Sequence, residues 1–193
     1  MEQSHHVAWK GEHTTDFRNY YHLESYLFDT VSKRFAAEGE LDGFDFFCIV
    51  IWKAERAKTT IAKMMTKTGL DLDSAAHVVT FGLAQKQNAK DRLYALWNAG
   101  FRLPMASAIL TVLYPEEFTV YDKQVSSMVS YRVGNPKDFD RLWTRYQDFK
   151  KRVREAAPAG LSLRDADRYL WGKARYDRLT TDIASGFKKA RPN

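Results

Sequence analysis

Residues Leu96–Val125 read LWNAGFRLPMASAILTVLYPEEFTVYDKQV, and this stretch decides the fold. Apolar residues recur along it at helical spacing, and the pattern is interrupted at Gly100 and again at Pro115. It predicts a helix that ends near Gly100, a short turn, and a second helix with Pro104 at its first position, where proline is favoured. A short aromatic loop then leads to Asp122, which is placed to begin a third helix.

The turn between the first two helices has the chemistry of an anion-binding site. Around Arg102–Met105 the first backbone N–H groups of a helix have no partner within that helix, and the helix dipole is positive there. The Arg102 guanidinium adds a full charge and several donors. This turn is therefore expected to grip a phosphate, with an acid one helix later available to act on the molecule that carries it.

The rest of the chain is patterned mainly for helices. Phe44–Trp52 indicates a buried helix; a strand is possible there on propensity, but no partner strand appears elsewhere. The sequence predicts an all-α fold, a single compact helical domain of about eight to ten helices over residues 15–186, after a flexible segment 1–14 and before a basic tail 187–193. The main apolar stripes are Phe17, Tyr20, Tyr21, Leu27, Phe28, Val31 and Phe35; Ala75, Ala76, Val79 and Leu83; Ala89, Leu93, Leu96 and Trp97; and Phe139, Leu142, Trp143, Tyr146, Phe149 and Val153.

Composition excludes several classes of protein. The 193 residues are 45% hydrophobic and 14% aromatic, which is typical of a packed globule, and no apolar run is long enough to span a membrane. The first residues lack the apolar core of a secretion signal, so a cytoplasmic protein is expected.

The lone Cys48 excludes an internal disulfide and an iron–sulfur cluster, and we expect it to be a buried hydrophobe. Scattered histidines indicate no metal and no cofactor.

The formal charge of +6 and the pI near 9.3 suit a polyanionic partner. Two basic clusters stand out, one at the end of a predicted helix and one in the tail. The first is expected to be a solvated helix face, since cations near a helix C-terminus are favoured by the dipole, and the second a frayed end. The clusters are Lys150, Lys151, Arg152 and Arg154, and Lys188, Lys189 and Arg191.

Gly100–Leu110 followed by Phe118–Val125 resembles the helix-hairpin-helix and catalytic-aspartate region of the HhH-GPD DNA glycosylases of base-excision repair. The hairpin of that family typically reads L-P-G-V-G-x-x-x-A, and Gly100, Phe101 and Ala106 stand at matching positions. The family then has an acidic residue in a v-D-x-x-V context after a proline-containing loop. The residues that fit this context are Pro115, Phe118, Val120, Asp122 and Val125.

The resemblance implies a DNA-glycosylase-like fold, double-stranded DNA as the partner, and hydrolysis of the N-glycosidic bond of a flipped, damaged base. It implies that Asp122 is the catalytic carboxylate, because breaking this bond builds positive, oxocarbenium-like charge on the sugar. The base must first leave the helical stack. The residues that the resemblance places against DNA are Gly100, Phe101, Arg102, Leu103, Pro104, Met105, Ala106 and Lys123.

Two positions depart from the family pattern, and they bear on how the protein would hold DNA and on which reaction the resemblance implies. Arg102 replaces the second hairpin glycine, which adds a cation where the family has close backbone approach. Pro104 stands where bifunctional members place a Schiff-base lysine, so the resemblance implies a monofunctional enzyme that hydrolyses without cleaving the strand. The four cysteines of the iron–sulfur branch are absent as well.

Simpler interpretations remain open at the sequence level. An aspartate at a helix start is most often an N-cap, worth about 1 kcal/mol, with no catalytic duty. Asp122 as a cap alone would fit a non-catalytic module of the same fold that binds DNA or another partner. A helical interaction domain with no nucleic-acid role is the third interpretation. No membrane partner is expected, and a monomer is favoured.

Overall fold

The computed structural model describes residues 17–187, so the segment predicted to be flexible and nearly all of the predicted basic tail lie outside the described residues. Within that range the secondary structure is helical and no residue forms a β-strand, which confirms the all-α class. None of these helices is long and apolar enough to cross a membrane. The α-helices are α1 (Leu23–Tyr26), α2 (Ser32–Glu38), α3 (Gly43–Ala54), α4 (Lys58–Met65), α5 (Leu72–Ala84), α6 (Ala89–Asn98), α7 (Leu103–Leu113), α8 (Lys123–Met128), α9 (Phe139–Ala156) and α10 (Leu163–Ala184).

The chain forms two compact units, Met1–Tyr114 and Pro115–Asn193. The first unit contains α1 to α7 and the second contains α8 to α10. The boundary falls inside the stretch that decides the fold, between the predicted hairpin and Asp122. A division into compact units does not by itself separate domains, so the predicted single domain over residues 15–186 stays a prediction.

The first unit is built around α7. Every residue of this helix except Pro104 is buried, and the helix packs against α2, α3 and α6. A helix that is apolar on all sides belongs in a core rather than at a surface. The Phe44–Trp52 run forms most of α3 and is helical, as predicted, and its N-cap Asp42 accepts a hydrogen bond from the Asp45 N–H at 2.8 Å.

The first predicted apolar stripe is only partly correct. Phe17 is 80% exposed and Tyr21 is 84% exposed, whereas the buried residues of this segment include Tyr26, which the stripe did not contain. The reason is the backbone: Phe17–Tyr20 is a 3₁₀ turn and Leu27–Val31 is a π turn that joins α1 to α2. Both depart from 3.6 residues per turn, so the spacing that assumes a regular helix loses register.

A buried polar cluster joins the first three helices. Asp45 is fully buried; the Tyr26 hydroxyl donates to its Oδ1 at 2.6 Å, and the Arg34 guanidinium forms an ion pair with its Oδ2. Burial raises the pKa of Tyr26, and the hydrogen bond to Asp45 adds to the effect. Burial is the largest single effect and lowers the pKa of Arg34, but the charge of Asp45, together with smaller contributions from Tyr26, Asp42 and the hydrogen bond to Asp45, outweighs it, so the net shift of the pKa is upward. Buried charges of this kind are tolerated only in pairs.

Cys48 is a buried free thiol, as predicted. Burial raises the pKa of this thiol to about 12, and the nearby charge of Asp45 contributes in the same direction. A thiol that stays protonated at neutral pH is a poor nucleophile, so Cys48 is a packing residue of the first unit.

The core of the second unit centres on Tyr146 of α9, which is fully buried. Its hydroxyl donates to the Thr119 carbonyl at 2.6 Å and accepts from the Thr119 N–H at 3.1 Å. The rings of Phe118 and Phe149 stack on the Tyr146 ring. The loop before α8 is therefore fastened to α9 by both backbone groups of one residue.

The expectation of a solvated basic face is wrong for Lys150. Lys151, Arg152 and Arg154 are exposed, but Lys150 is only 8% exposed. It follows Tyr146 by one helical turn and so lies on the apolar side of α9, with its ammonium 5.6 Å from the centre of the Phe118 ring. Burial lowers the pKa of Lys150, and repulsion from Arg154 lowers it further.

Local hydrogen bonds hold the start of α10. The Ser162 hydroxyl accepts from the Asp165 N–H at 3.0 Å, which is the N-cap bond of a capping box, and Arg164 pairs with Asp167 at 3.2 Å. The helix continues to Ala184.

We predict that Tyr146→Phe lowers the free energy of unfolding by about 2–4 kcal/mol, because the Thr119 N–H and C=O both lose their partner in a buried site. Urea denaturation of the full chain measures this loss. Tyr21→Phe is the control, since Tyr21 is 84% exposed and lies outside every contact that this prediction concerns. Equal stabilities for the two variants would show that the Thr119 bonds do not hold this loop.

Candidate nucleic-acid interface and active site

The hairpin turn begins with a Schellman motif at the end of α6. Gly100 has a left-handed backbone with φ of +96°. Its N–H donates to the Trp97 carbonyl at 3.0 Å, and the Phe101 N–H donates to the Leu96 carbonyl at 3.0 Å. This is the pairing that satisfies the last carbonyls of a helix, and it confirms that the helix ends near Gly100 as predicted.

Space around Gly100 is a second reason for a glycine there. A Cβ atom at this position would lie 3.1 Å from the sulfur of Met64, which belongs to α4. A larger residue would therefore combine the strain of a left-handed backbone with a shift of the Met64 side chain by a few tenths of an ångström.

The first turn of α7 offers fewer open amides than predicted. Arg102 is the N-cap, so Pro104 is the second residue of the helix and not the first. The Met105 and Ala106 N–H groups both donate to the Arg102 carbonyl, at 3.0 and 2.9 Å, so the Met105 amide is not open to a ligand. Within residues 17–187, the Leu103 N–H has no hydrogen-bond acceptor, and proline has no N–H. The donors that this turn could offer an anion thus reduce to the Leu103 N–H and the exposed Arg102 side chain.

Burial divides the predicted DNA-binding residues into two groups. Those with buried side chains are Phe101, Leu103, Met105 and Ala106. Those that are exposed are Gly100, Arg102, Pro104 and Lys123. Phe101 meets the edge of the Phe46 ring with centroids 6.2 Å apart, so its role in the structure is to attach the turn to α3.

Asp122 is the N-cap of α8. Its backbone is extended, with φ of −136°, and its Oδ1 accepts a hydrogen bond from the Val125 N–H at 2.8 Å. The side chain is half-buried, whereas Lys123 beside it is exposed. The capping role that the sequence predicted is confirmed.

The loop that carries Asp122 is held at two points. Thr119 is fastened to Tyr146, and the Tyr121 hydroxyl accepts from the Val133 N–H at 3.1 Å. The Tyr121 ring also meets the edge of Phe149, with centroids 5.1 Å apart. Because both anchors lie within three residues of Asp122, its carboxylate sits on a fixed backbone. Sequence spacing alone could not identify these anchors, since their partners lie in distant segments.

The structure brings the predicted site residues together in two groups. Gly100–Ala106 form the turn between α6 and α7 in the first unit. Asp122 and Lys123 form the start of α8 in the second unit.

The net positive charge of the chain comes entirely from the second unit. Residues 115–193 contain 17 lysines and arginines against 11 aspartates and glutamates, a net charge of +6. Residues 1–114 contain 13 of each and are neutral. The sequence carries this signal, but it can be recognised only once the boundary at Tyr114 is known.

A surface depression of about 390 Å³ lies along α6, before the hairpin. Its lining combines one aromatic ring with groups of both charges: Lys86, Asp91, Tyr94, Ala95 and Asn98. Among residues 17–187, no three histidine, cysteine, aspartate or glutamate side chains are grouped so that they could hold a metal ion.

Comparisons with protein-family models, with curated proteins and with solved structures found no match. The resemblance to the HhH-GPD glycosylases therefore depends on the hairpin and the Asp122 segment alone.

We predict that Gly100→Ala lowers the free energy of unfolding by about 2–3 kcal/mol, because it combines left-handed strain with a contact against Met64. Gly160→Ala is the control: its φ is +87° and nothing lies within 4 Å of its added Cβ, so only the strain of about 1 kcal/mol remains. Thermal unfolding of both variants measures the difference. If they lose equal stability, the close approach of α4 to the hairpin is incorrect.

Proposed function

We propose that this protein binds duplex DNA and hydrolyses the N-glycosidic bond of a damaged base, with Asp122 as the catalytic carboxylate. The observation that supports this most directly is the local geometry of the two parts of the motif. A glycine-terminated hairpin with an exposed Arg102 at its cap is followed, twenty residues later, by a half-buried aspartate on an anchored loop.

The proposed chemistry needs a carboxylate in one fixed orientation. As the bond between base and deoxyribose breaks, positive charge develops on the sugar, and a carboxylate beside it stabilises that charge or activates a water molecule. The Val125 N–H holds Oδ1 of Asp122, and the Thr119 and Tyr121 anchors hold its backbone. A group that is already oriented does not have to reorganise during the reaction.

The proposed grip on DNA combines one local contact with a broader field. Arg102 and the Leu103 N–H are placed to hold one phosphate, which positions the duplex without reading its sequence. The net positive charge of residues 115–193 supplies attraction to the phosphate backbone, and Lys151, Arg152 and Arg154 are exposed within it.

A second candidate is a non-catalytic DNA-binding module. The 2.8 Å hydrogen bond to Val125 fully explains an aspartate at this position as a helix cap, without any reaction. In that case the basic charge of the second unit would bind DNA and Asp122 would only stabilise α8.

Asp122→Asn separates the two candidates, because asparagine caps a helix as well as aspartate does but carries no charge. We predict that base release from lesion-bearing duplexes falls by roughly 10²–10⁴-fold while melting temperature and duplex affinity stay unchanged. Asp138→Asn is the matched control, since Asp138 caps α9 in the same way, accepting from the Arg141 N–H at 2.8 Å. That variant should retain full base release.

The measurement uses a panel of duplexes that each contain one damaged or mismatched base, and it detects the free base directly. If the wild-type protein binds these duplexes and releases no base from any of them, catalysis is wrong and the second candidate stands. If Asp122→Asn retains base release, a glycosylase remains possible but Asp122 is not its catalytic group.

We predict that Arg102→Ala weakens duplex binding and lowers the slope of log affinity against log salt by about 1, which is the loss expected for one phosphate contact. Lys67→Ala is the control, because Lys67 is an exposed cation of the same unit outside the hairpin. Fluorescence anisotropy over a salt series gives both slopes. A slope for Arg102→Ala equal to that of the control would exclude the hairpin from the DNA interface.

A further inference from the structure

The last helix has two unlike halves. In α10 the residues up to Leu170 include four buried ones, whereas none of residues 171–184 is buried. The second half nevertheless carries large apolar side chains that are exposed to solvent: Tyr176 is 71% exposed, Leu179 54% and Ile183 61%. Isolated exposed apolar residues are ordinary, but a regular row of them on one helix marks an interaction surface.

These residues follow a heptad pattern. Tyr169, Tyr176 and Ile183 recur every seven residues, and Gly172 and Leu179 fill the second apolar position of the same repeat. Apolar residues that alternate by three and four form the seam of a two-helix coiled coil. We call this seam, consisting of Tyr169, Gly172, Tyr176, Leu179 and Ile183, the α10 stripe.

The α10 stripe faces away from the body of the second unit. With about 100° of rotation per residue, its centre lies roughly 140° around the helix from the centre of the buried residues Leu163, Ala166 and Leu170. Those buried residues form the face through which α10 packs on α8 and α9. The stripe therefore cannot be covered by the helices that already hold α10 in place.

We propose that the α10 stripe is covered by the same stripe of a second copy of this chain, in antiparallel orientation, so that the protein forms a symmetric dimer. In a two-fold interface each contact occurs twice, so the surface must be complementary to itself. The stripe meets this requirement in both shape and charge.

One register of the two helices makes the stripe complementary to itself in shape. When Tyr176 of one copy lies opposite Leu179 of the other, Ile183 lies opposite Gly172 of the other copy. The centre of the seam then has two layers of tyrosine against leucine, and each end has a large side chain against a glycine. Pairing large with small residues lets facing layers interlock without voids.

The charged residues that flank the seam are complementary in the same register. Arg175 and Asp182 lie on the same side of the stripe, seven residues apart, at the flanking position that meets its counterpart in an antiparallel pair. In the register above, Arg175 of each copy faces Asp182 of the other, which gives two attractive pairs. Within its own helix the Arg175 guanidinium lies 5.2 Å from the centre of the Trp171 ring, one turn back.

A parallel pair fits less well. It would place Gly172 against Gly172, which leaves a gap, and Tyr176 against Tyr176 in the next layer. Its flanking positions would bring Arg168 of one copy towards Lys173 of the other, which is a repulsion and not an attraction. The sequence favoured a monomer, and the proposed antiparallel dimer departs from that expectation.

Sedimentation equilibrium of the full chain tests the dimer. We expect the mass of two chains, with a dissociation constant on the order of 10 μM or tighter, and we expect Leu179→Glu to raise that constant by at least about tenfold. Leu179 is exposed in the single chain, so this variant should fold normally, which its circular dichroism spectrum checks. Thr181→Glu adds the same charge two residues away on another face and should leave the dimer intact.

Charge reversal tests the orientation. Arg175→Asp and Asp182→Arg should each weaken the dimer, and the variant with both changes should recover the wild-type dissociation constant, because the exchanged charges again face each other. In a parallel pair, where these two residues do not meet, the double variant would show no recovery.

Cross-linking gives an independent check. A variant with Tyr176→Cys and Leu179→Cys should form a disulfide-linked dimer on mild oxidation, whereas Leu179→Cys alone should not, because Leu179 faces Tyr176 of the other copy. We expect Cys48 not to form a disulfide in this experiment, since it is buried and its thiol has a raised pKa.

A wild-type protein that sediments as one chain at all concentrations overturns the proposal. Binding of that monomer's α10 to lipid vesicles or to DNA, lost in Leu179→Glu, would instead identify a different occupant.

Discussion

The hydroxyl of Tyr146 donates to the carbonyl and accepts from the N–H of Thr119, and the arrangement of the second unit depends on this pair of hydrogen bonds. A tyrosine that is fully buried must satisfy its hydroxyl, and a loop that is buried must satisfy its backbone. Here the Tyr146 hydroxyl and the Thr119 backbone groups satisfy one another's hydrogen bonds. The bonds fix the loop three residues before Asp122, while the Val125 N–H fixes the carboxylate itself. The same packing encloses Lys150, whose ammonium lies near the rings of Phe118 and Tyr146.

The hairpin in the first unit follows a different physical rule. Its apolar side chains serve the core, because α7 is buried along nearly its whole length and Phe101 packs on Phe46. What remains for a ligand is the exposed Arg102 and the amide at Leu103, so an anion would be held by one guanidinium and very little backbone. In the proposed complex, the wider attraction to a polyanion would come from residues 115–193, which hold all of the excess positive charge. In the proposed complex, Arg102 and the Leu103 amide would therefore position one phosphate, whereas residues 115–193 would attract the DNA backbone as a whole.

Features that depend on neighbours in the chain were predictable from the sequence. Gly100 ends α6, Asp122 caps α8, and Ser162 with Asp165 begins α10, because each signal and its partner lie within a few residues. Features that join segments far apart in the chain were not predictable from the sequence. The pairing of Asp45 with Tyr26 and Arg34 spans three helices, and the only local hint was the capping spacing of Asp42 and Asp45. Lys150 was assigned to solvent by its charged neighbours, although its position one turn after Tyr146 placed it on the buried side. The π turn at Leu27–Val31 shifted a register that a regular helix would have kept.

In the proposed reaction Asp122 stabilises positive charge on a sugar, in addition to capping a helix. A duplex in which one deoxyribose is replaced by a cationic pyrrolidine carries the charge of the proposed transition state without reacting. Transition-state analogues bind at least about 10²-fold more tightly than the corresponding ground state, so the wild-type protein should prefer this duplex by that factor over a duplex with a neutral abasic sugar. Fluorescence anisotropy measures both affinities, and Asp122→Asn should remove the preference while keeping the affinity for the neutral duplex. Equal affinities for the cationic and neutral duplexes in the wild-type protein would contradict the claim.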